Sequence, residues 1–176
     1  ISFKGVVTMD AIEKDLLLQI ADLHGVPEGA YNIRGNSQSL GRNTTANIDI
    51  VNRKDGKQGI DIFIKPDTKK ESLHIPVIIS KAGLQEVVYN DFYVGDNADV
   101  VIVAGCGIHN CGGVDMESRH DGVHTFHIGK NARVKYVEKH YGEGEGIGER
   151  VLNPTTVIEI DEGGYLEMDS SQIKGV

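Results

Sequence analysis

The chain contains no tryptophan, only four phenylalanines and only two cysteines among its 176 residues. Two cysteines are too few for a disulfide framework, so the sequence indicates a reducing, cytoplasmic environment. No run of about 18 apolar residues occurs, so no segment of this sequence is expected to span a membrane.

Basic residues are also in deficit, with 18 Lys and Arg against 26 Asp and Glu, which gives a net charge of −8. A nucleic-acid surface needs Lys and Arg to replace the counterions of the phosphates, so no nucleic-acid partner is expected. Glycine is abundant, at 22 residues. Many glycines, few aromatics and many valines and isoleucines favour short strands joined by tight corners.

One helix is predicted near the start of the chain. Asp10 can cap it, and Glu13 follows three residues later, as in a capping box. The apolar stripe of this helix consists of Ile12, Leu16, Leu17, Ile20 and Leu23. Gly25 and Pro27 are expected to end it.

The remainder of the sequence predicts strands and no second helix. Residues 26–57 are polar and indicate loop or weak strand. From Gly59 onward strands dominate, because Ile60, Ile62 and Ile64 alternate with other residues and short apolar runs follow. We therefore divide the chain into residues 1–57, a helix and polar connecting segment, and residues 58–176, a β core.

An internal repeat determines the predicted architecture. Its three copies, each a corner followed by a strand, begin at Val94, Ile128 and Ile160, which are 34 and 32 residues apart. Three sets of residues share one strand face: Ala98, Ala132 and Gly164; Val100, Val134 and Leu166; and Ile102, Tyr136 and Met168. A two-residue period places each set on the same face of its strand.

The other face of the repeat carries opposite charges, with Asp99 over Arg133 and Lys135 over Glu167, which favours this register. Short strands at a near-constant period, with no helix between them, are typical of a β-solenoid. A chance likeness among the strands of a β-sandwich is the alternative. We predict a mainly β protein, a parallel β-solenoid with an N-terminal helix.

A solenoid needs cover at its ends. The N-terminal helix is a candidate to cap one end. No polar cap follows the last predicted strand, so we expect this edge to pair with another molecule, or the chain to be truncated at its C-terminus.

Sulfur and imidazole ligands are concentrated between Gly105 and His127. This mixture suits iron, zinc or an iron–sulfur cluster better than magnesium or calcium. The candidate metal ligands are Cys106, His109, Cys111, His124 and His127, and the first three are the candidate cluster-binding residues. His124 and His127 would face opposite ways on a straight strand, because their separation is odd.

These ligands form an incomplete site, because no second cysteine pair exists to complete four thiolates. Carboxylates, other histidines or a second subunit would have to complete it. Cys106 is alternatively a core thiol, and Cys111, set among glycines, is an exposed ligand or reactive thiol. A disulfide between the two cysteines is a further alternative in an oxidised sample. Each histidine is alternatively a surface imidazole or a hydrogen-bonded one. The glycine-rich residues 142–148 are a mobile loop rather than a phosphate site, since their glutamates would repel phosphate.

Five segments together resemble the SufB/SufD family of the SUF iron–sulfur cluster assembly machinery, most closely its short SufB-like members. They are residues 84–93, 105–113, 138–142, 153–156 and 168–176. The resemblance implies a right-handed parallel β-helix core. It also implies a complex with the SufC ATPase and with a SufB- or SufD-type subunit through the β-helix edge. The helical segment by which the family binds SufC lies beyond the matched residues.

The resemblance and the ligands together predict a non-enzymatic scaffold that holds a transient iron–sulfur cluster, with iron or zinc also possible and no metal required for folding. Two alternatives remain open. One is a structural assembly subunit without a metal. The other is a metal-dependent enzyme on a β-solenoid or cupin-like barrel, in which His120, His124 and His127 converge on one ion.

Overall fold

A computed structural model of the chain describes residues 8–113 and 115–175. Its elements, in chain order, are helix α1 (Ala11–Ala21) and strands β1 (Ala30–Gly35), β2 (Gln38–Asn43), β3 (Ile48–Asn52), β4 (Gly59–Ile64), β5 (Lys69–Ile79), β6 (Gln85–Val94), β7 (Asp99–His109), β8 (Ser118–Ile128), β9 (Arg133–Glu143), β10 (Arg150–Leu152), β11 (Thr155–Ile160) and β12 (Tyr165–Lys174). Within the described residues α1 is the one helix, as the sequence predicts.

The strands form two six-stranded sheets that face each other. The first has the order β12-β9-β7-β5-β1-β2; the second has the order β10-β8-β6-β4-β3, with β11 also paired to β8. From β4 to β10 successive strands alternate between the sheets; β11 then continues the second sheet before β12 returns to the first. From β5 onward each strand pairs in parallel with a strand one turn earlier. The result is a parallel β-solenoid of about four turns, which confirms the predicted fold.

The repeat stacks in the predicted register. Ile102 pairs with Tyr136, and Tyr136 pairs with Met168 on the next turn. Ile102 and Tyr136 belong to an interior cluster that contains the stacked rings of Phe92 and Phe126, whereas Met168 is exposed. Apolar side chains from both sheets therefore fill the central part of the solenoid, where they are removed from water.

The two predicted charge pairs differ in the contacts that their basic side chains make. Lys135 lies 3.5 Å from Glu167 in an exposed ion pair. Arg133 pairs in register with Asp99, but its guanidinium lies over the Tyr165 ring, 4.6 Å from the centroid. The guanidinium therefore gains a cation–π contact on the following turn.

The polar segment of residues 26–57 forms the three strands β1, β2 and β3, where polarity alone indicated loop or weak strand. Strand β2 pairs antiparallel with β1, and β3 pairs antiparallel with β4. These antiparallel strands complete the N-terminal end of both sheets.

The sequence suggested that helix α1 caps one end of the solenoid. In the structure the helix lies against one sheet instead. The predicted capping box is present: Asp10 accepts from the Glu13 amide at 2.8 Å, and Glu13 accepts from the Asp10 amide at 3.1 Å. The helix contacts β5, β7 and β9, with Leu16 and Ile20 fully buried. Ile12, the first residue of the predicted stripe, is exposed.

Candidate functional site

Strand β7 presents the Gly-Cys-Gly-Ile segment with strict alternation. Cys106 and Ile108 face inward and belong to a buried cluster with Val77. Gly105 and Gly107 face outward beneath α1: a Cβ on Gly107 would lie 3.1 Å from the Leu16 side chain. The glycines of this segment therefore allow the helix to approach the sheet, a role that the sequence did not suggest.

Cys106 is a buried, protonated thiol. Its side chain is 3% exposed, and its register partner on β9 is His140. Burial, and then the negative charges of Glu86 and Glu138, raise the pKa of Cys106 well above its usual value. The thiol consequently keeps its proton at neutral pH, and a bound cation would have to displace that proton.

His109 and Cys111 lie away from the Cys106 thiol. His109 ends β7 on the opposite strand face from Cys106, and its Nδ1 is 3.3 Å from a carboxylate oxygen of Glu143. Cys111 follows in the loop and is exposed. Both cysteines are free. The three candidate cluster-binding residues therefore occupy the interior, the outer face and the corner of one turn.

Asn110, between His109 and Cys111, is completely buried and joins its own loop to the glycine-rich segment and to the start of β8. Its Nδ2 donates to the Gly148 carbonyl at 2.8 Å, and its Oδ1 accepts from the Ser118 hydroxyl at 2.6 Å. A Cβ on Gly144 or Gly146 would lie within 2.4 Å of backbone oxygens of Asn110 or Cys111. The glycine-rich segment that the sequence suggested to be a mobile loop is therefore packed closely on the cysteine loop.

His124 and His127 face opposite ways on β8, as their odd separation predicts. The His127 Nδ1 lies 2.7 Å from Glu159, and its ring stacks on Tyr93 at 4.7 Å, outside the solenoid. His124 faces the interior, where its Nδ1 lies 2.7 Å from the Tyr136 hydroxyl. His120 faces inward as well, so His120, His124 and His127 do not converge on one ion as the metal-enzyme alternative requires.

A buried ion group lies at the inward face of β6 and β8. Glu86 is 2.9 Å from both the Arg34 guanidinium and the His120 Nδ1. Burial raises the pKa of Glu86, but the hydrogen bonds from His120 and Arg34 outweigh it and bring the pKa down to about 2. Glu86 is therefore ionised throughout the neutral range.

A second polar group lies at the inward face of β9. Glu138 accepts a hydrogen bond from Tyr136 at 3.1 Å and lies 3.4 Å from His140, whose Nδ1 is 2.6 Å from Gln172. Burial raises the pKa of Glu138, but the hydrogen bond from His140 leads the effects that lower it overall. This carboxylate is also ionised at neutral pH.

A small cavity of about 20 Å³ lies beside these groups. Its lining combines apolar residues with the polar residues Asn90, Cys106, His120, His124, Glu138 and His140. This volume is enough for one water-sized occupant. Across residues 8–113 and 115–175, no three His, Cys, Asp or Glu side chains are grouped closely enough to hold a metal ion together.

Sequence reasoning missed Glu86, Glu138 and His140 as members of the polar interior. Their signal was available in part: Glu138 and His140 continue the two-residue period of Val134 and Tyr136 on the interior face. A polar residue at such a position must find a buried partner, and this criterion would have identified both.

In the part of the chain that the structure describes, no helix is long and apolar enough to cross a membrane.

Comparison with known proteins gives one informative relative. The chain is 26% identical over 123 residues to an iron–sulfur cluster assembly SufBD family protein of Methanocaldococcus jannaschii; the match covers 69% of this chain and 37% of that protein. No family model matches the chain, and no solved structure matches it significantly. The relative confirms the resemblance to the SufB/SufD family, over little more than a third of that protein's length.

Proposed function

We propose that this chain is the β-helix part of a scaffold subunit for iron–sulfur cluster assembly, and that it acts in the cytoplasm. The name of the archaeal relative and the parallel β-solenoid support this role. A scaffold holds iron and sulfide as cargo and releases them, so this role requires no catalytic residue and no resident metal.

The observation that carries the proposal is a thiol enclosed with imidazoles and carboxylates inside a solenoid. Cys106 shares its cavity with His120 and His140, and Glu138 lines the same space. Thiolate is the ligand that cluster iron prefers, and imidazole is a borderline ligand that also binds iron. In this role Cys106 would lose its proton and bind ferrous iron as a thiolate.

The remaining predicted ligands are proposed to act at the surface. Cys111 is exposed and therefore accessible to a donor protein, and His109 lies two residues away at the end of β7. His127, on the outer face beside Glu159, would serve with a partner subunit. His124 would act from the interior cavity.

The proposed partners are a SufC-type ATPase and a SufB- or SufD-type subunit. Strands β11 and β12 support the second of these, because they present exposed apolar side chains at the C-terminal end of the solenoid. These side chains are Val157, Ile158, Ile160, Tyr165, Met168 and Ile173. The same surface would support the alternative role, a structural assembly subunit that carries no metal.

Anaerobic reconstitution with ferrous iron and sulfide tests the cargo role. The wild-type chain is expected to develop the visible absorption of a thiolate-ligated cluster. Cys106→Ser and Cys111→Ser should each weaken this absorption, and the double variant should lose it. Ser171→Ala, at an exposed position, is the control. An unchanged spectrum in the double variant would show that the thiols are not the ligands.

Co-purification tests the partners separately. The chain, extended by any C-terminal sequence that its gene encodes, is expected to retain a SufC-type ATPase on an affinity column. If cluster reconstitution succeeds and no ATPase is retained, the partnership is wrong and the cargo role stands. A stable oligomer that takes up neither iron nor sulfide would favour the purely structural alternative.

A further inference from the structure

We propose that His120, His124 and Asn90 form a site for one borderline divalent transition-metal ion, such as Zn²⁺ or Fe²⁺, inside the solenoid. This site lies in the same cavity as Cys106 but is separate from the cargo held by the thiols. It uses no thiol, so it can stand or fail independently of Cys106 and Cys111.

The two imidazoles point at one shared space. His120 and His124 lie on the inward face of β8, on either side of Gly122. A Cβ placed on Gly122 would lie 3.3 Å from the His120 Nε2 and 3.4 Å from the His124 Nε2. The Gly122 backbone lies outside the left-handed region, so its conformation does not require glycine. The missing side chain leaves room between two nitrogens that ligate metals.

Hydrogen bonds fix the tautomer of both rings. His120 directs Nδ1 at the ionised Glu86, 2.9 Å away, so Nδ1 carries a proton. The Tyr136 hydroxyl donates its single proton to Glu138 at 3.1 Å, so it must accept from the His124 Nδ1 at 2.7 Å. When both Nδ1 atoms carry protons, each neutral ring keeps its lone pair on Nε2. A carboxylate or hydroxyl behind a histidine is the usual support of a metal ligand.

Asn90 is an independent indication that this cavity binds a ligand. Its side chain is 5% exposed, and its Oδ1 is buried without a hydrogen-bond partner. It pairs in register with His124 and lines the same cavity, with Nδ2 at the long distance of 3.5 Å from the His124 Nε2. A half-turn of the amide would present Oδ1 to an ion in that space, which would give this oxygen a partner.

The charges around the cavity favour a cation. The carboxylates of Glu86 and Glu138 lie near the imidazoles, and Arg34 supplies a permanent positive charge beside Glu86. A divalent ion on neutral imidazoles would offset the excess of buried negative charge. An anion would face two carboxylates in a region of low dielectric constant.

Metal titration of the metal-free full chain is the test, with Co²⁺ and Zn²⁺ as the probes. We expect one Co²⁺ per chain with a visible ligand-field spectrum, and displacement of Co²⁺ by Zn²⁺ in calorimetry. His120→Gln and His124→Gln should weaken binding roughly tenfold or more. His24→Gln, at an exposed histidine after α1, is the matched control and should bind as wild type does.

Gly122→Ala keeps every ligand and fills the space between them. Its circular dichroism should match wild type, and its Co²⁺ affinity should fall roughly tenfold or more. Cys106→Ser should bind Co²⁺ normally, which separates this site from the proposed cargo role. The proposal is overturned if wild type binds no Co²⁺, if folded Gly122→Ala binds it as tightly as wild type, or if His24→Gln weakens binding as much as His124→Gln does.

Discussion

Gly105 of β7 lies directly beneath Ile20 of α1: a Cβ on Gly105 would lie 3.1 Å from the Ile20 Cβ and 2.6 Å from the Lys139 carbonyl oxygen. There is thus no room for even a methyl group between helix and sheet. We expect Gly105→Ala to push α1 from the sheet and to lower the free energy of unfolding by about 1–3 kcal/mol. Urea unfolding followed by circular dichroism measures this loss.

Gly112→Ala is the matched control for that substitution. The nearest atom to a Cβ on Gly112 is 3.7 Å away, which is an ordinary contact. This variant should unfold within about 0.5 kcal/mol of wild type. Equal midpoints for Gly105→Ala and wild type would mean that the helix does not press on this strand.

The two thiols should differ sharply in reactivity. Cys111 is exposed, whereas burial, followed by two nearby carboxylates, raises the pKa of the buried Cys106 thiol. Because only thiolates react with iodoacetamide, we expect labelling of Cys111 in the native protein and of Cys106 only after unfolding. Peptide mapping by mass spectrometry assigns each label, and comparable native labelling at both positions would contradict the buried placement of Cys106.

Asn110 is expected to contribute more to the free energy of unfolding than its small size suggests. Asn110→Ala removes the bonds to the Gly148 carbonyl and the Ser118 hydroxyl and leaves both partners buried. We expect a loss of about 2–4 kcal/mol, because each buried group left without a partner costs about 1–3 kcal/mol. The measurement is thermal or urea unfolding. Asn52→Ala, at an exposed site, is the control and should be nearly neutral; a similar loss in both variants would argue against the loop-joining role.

Glu86 should make the protein sensitive to acid in a defined range. Although burial raises its pKa, hydrogen bonds from His120 and Arg34 lower it to about 2 from the ordinary 4.5. A carboxylate with a lowered native pKa stabilises the fold above its unfolded pKa, and that stability is lost as the pH falls through the native pKa. We expect this loss between pH 4.5 and 2. Its size is on the order of 3 kcal/mol.

Unfolding free energies measured across that pH range test the assignment to Glu86. Glu86→Gln should be less stable than wild type at neutral pH and should show a shallower decline in acid. The exposed Glu162→Gln should keep the wild-type slope. If Glu86→Gln also kept the full slope, the acid sensitivity would have to come from other carboxylates.

The solenoid could be predicted from the sequence because apolar residues recur at the spacing of its turns. Val100, Val134 and Leu166 occupy one interior column, and burial of such columns is what selects the register. The N-terminal strands were harder to predict, since β2 has no buried residue and is held by its hydrogen bonds to β1. A strand defined by its neighbour leaves little trace in its own side chains.

The candidate site was predicted less completely, for a reason of geometry. Cys106, His109 and Cys111 are close in sequence, but alternation along β7 and the corner after it separate their side chains. The groups that surround Cys106 come from the facing sheet and from the next turn, such as His120 on β8 and His140 on β9. Neighbours of that kind become visible only when the register between turns is known.

Helix α1 affects the cooperativity with which the solenoid unfolds. In an array whose turns contact only their neighbours, unfolding can begin at a free end and proceed one turn at a time. The contacts of α1 with β5, β7 and β9 tie three consecutive turns to a single rigid element. Unfolding of any one of these turns would also expose the apolar face of the helix to water. The three central turns are therefore expected to unfold as one cooperative unit.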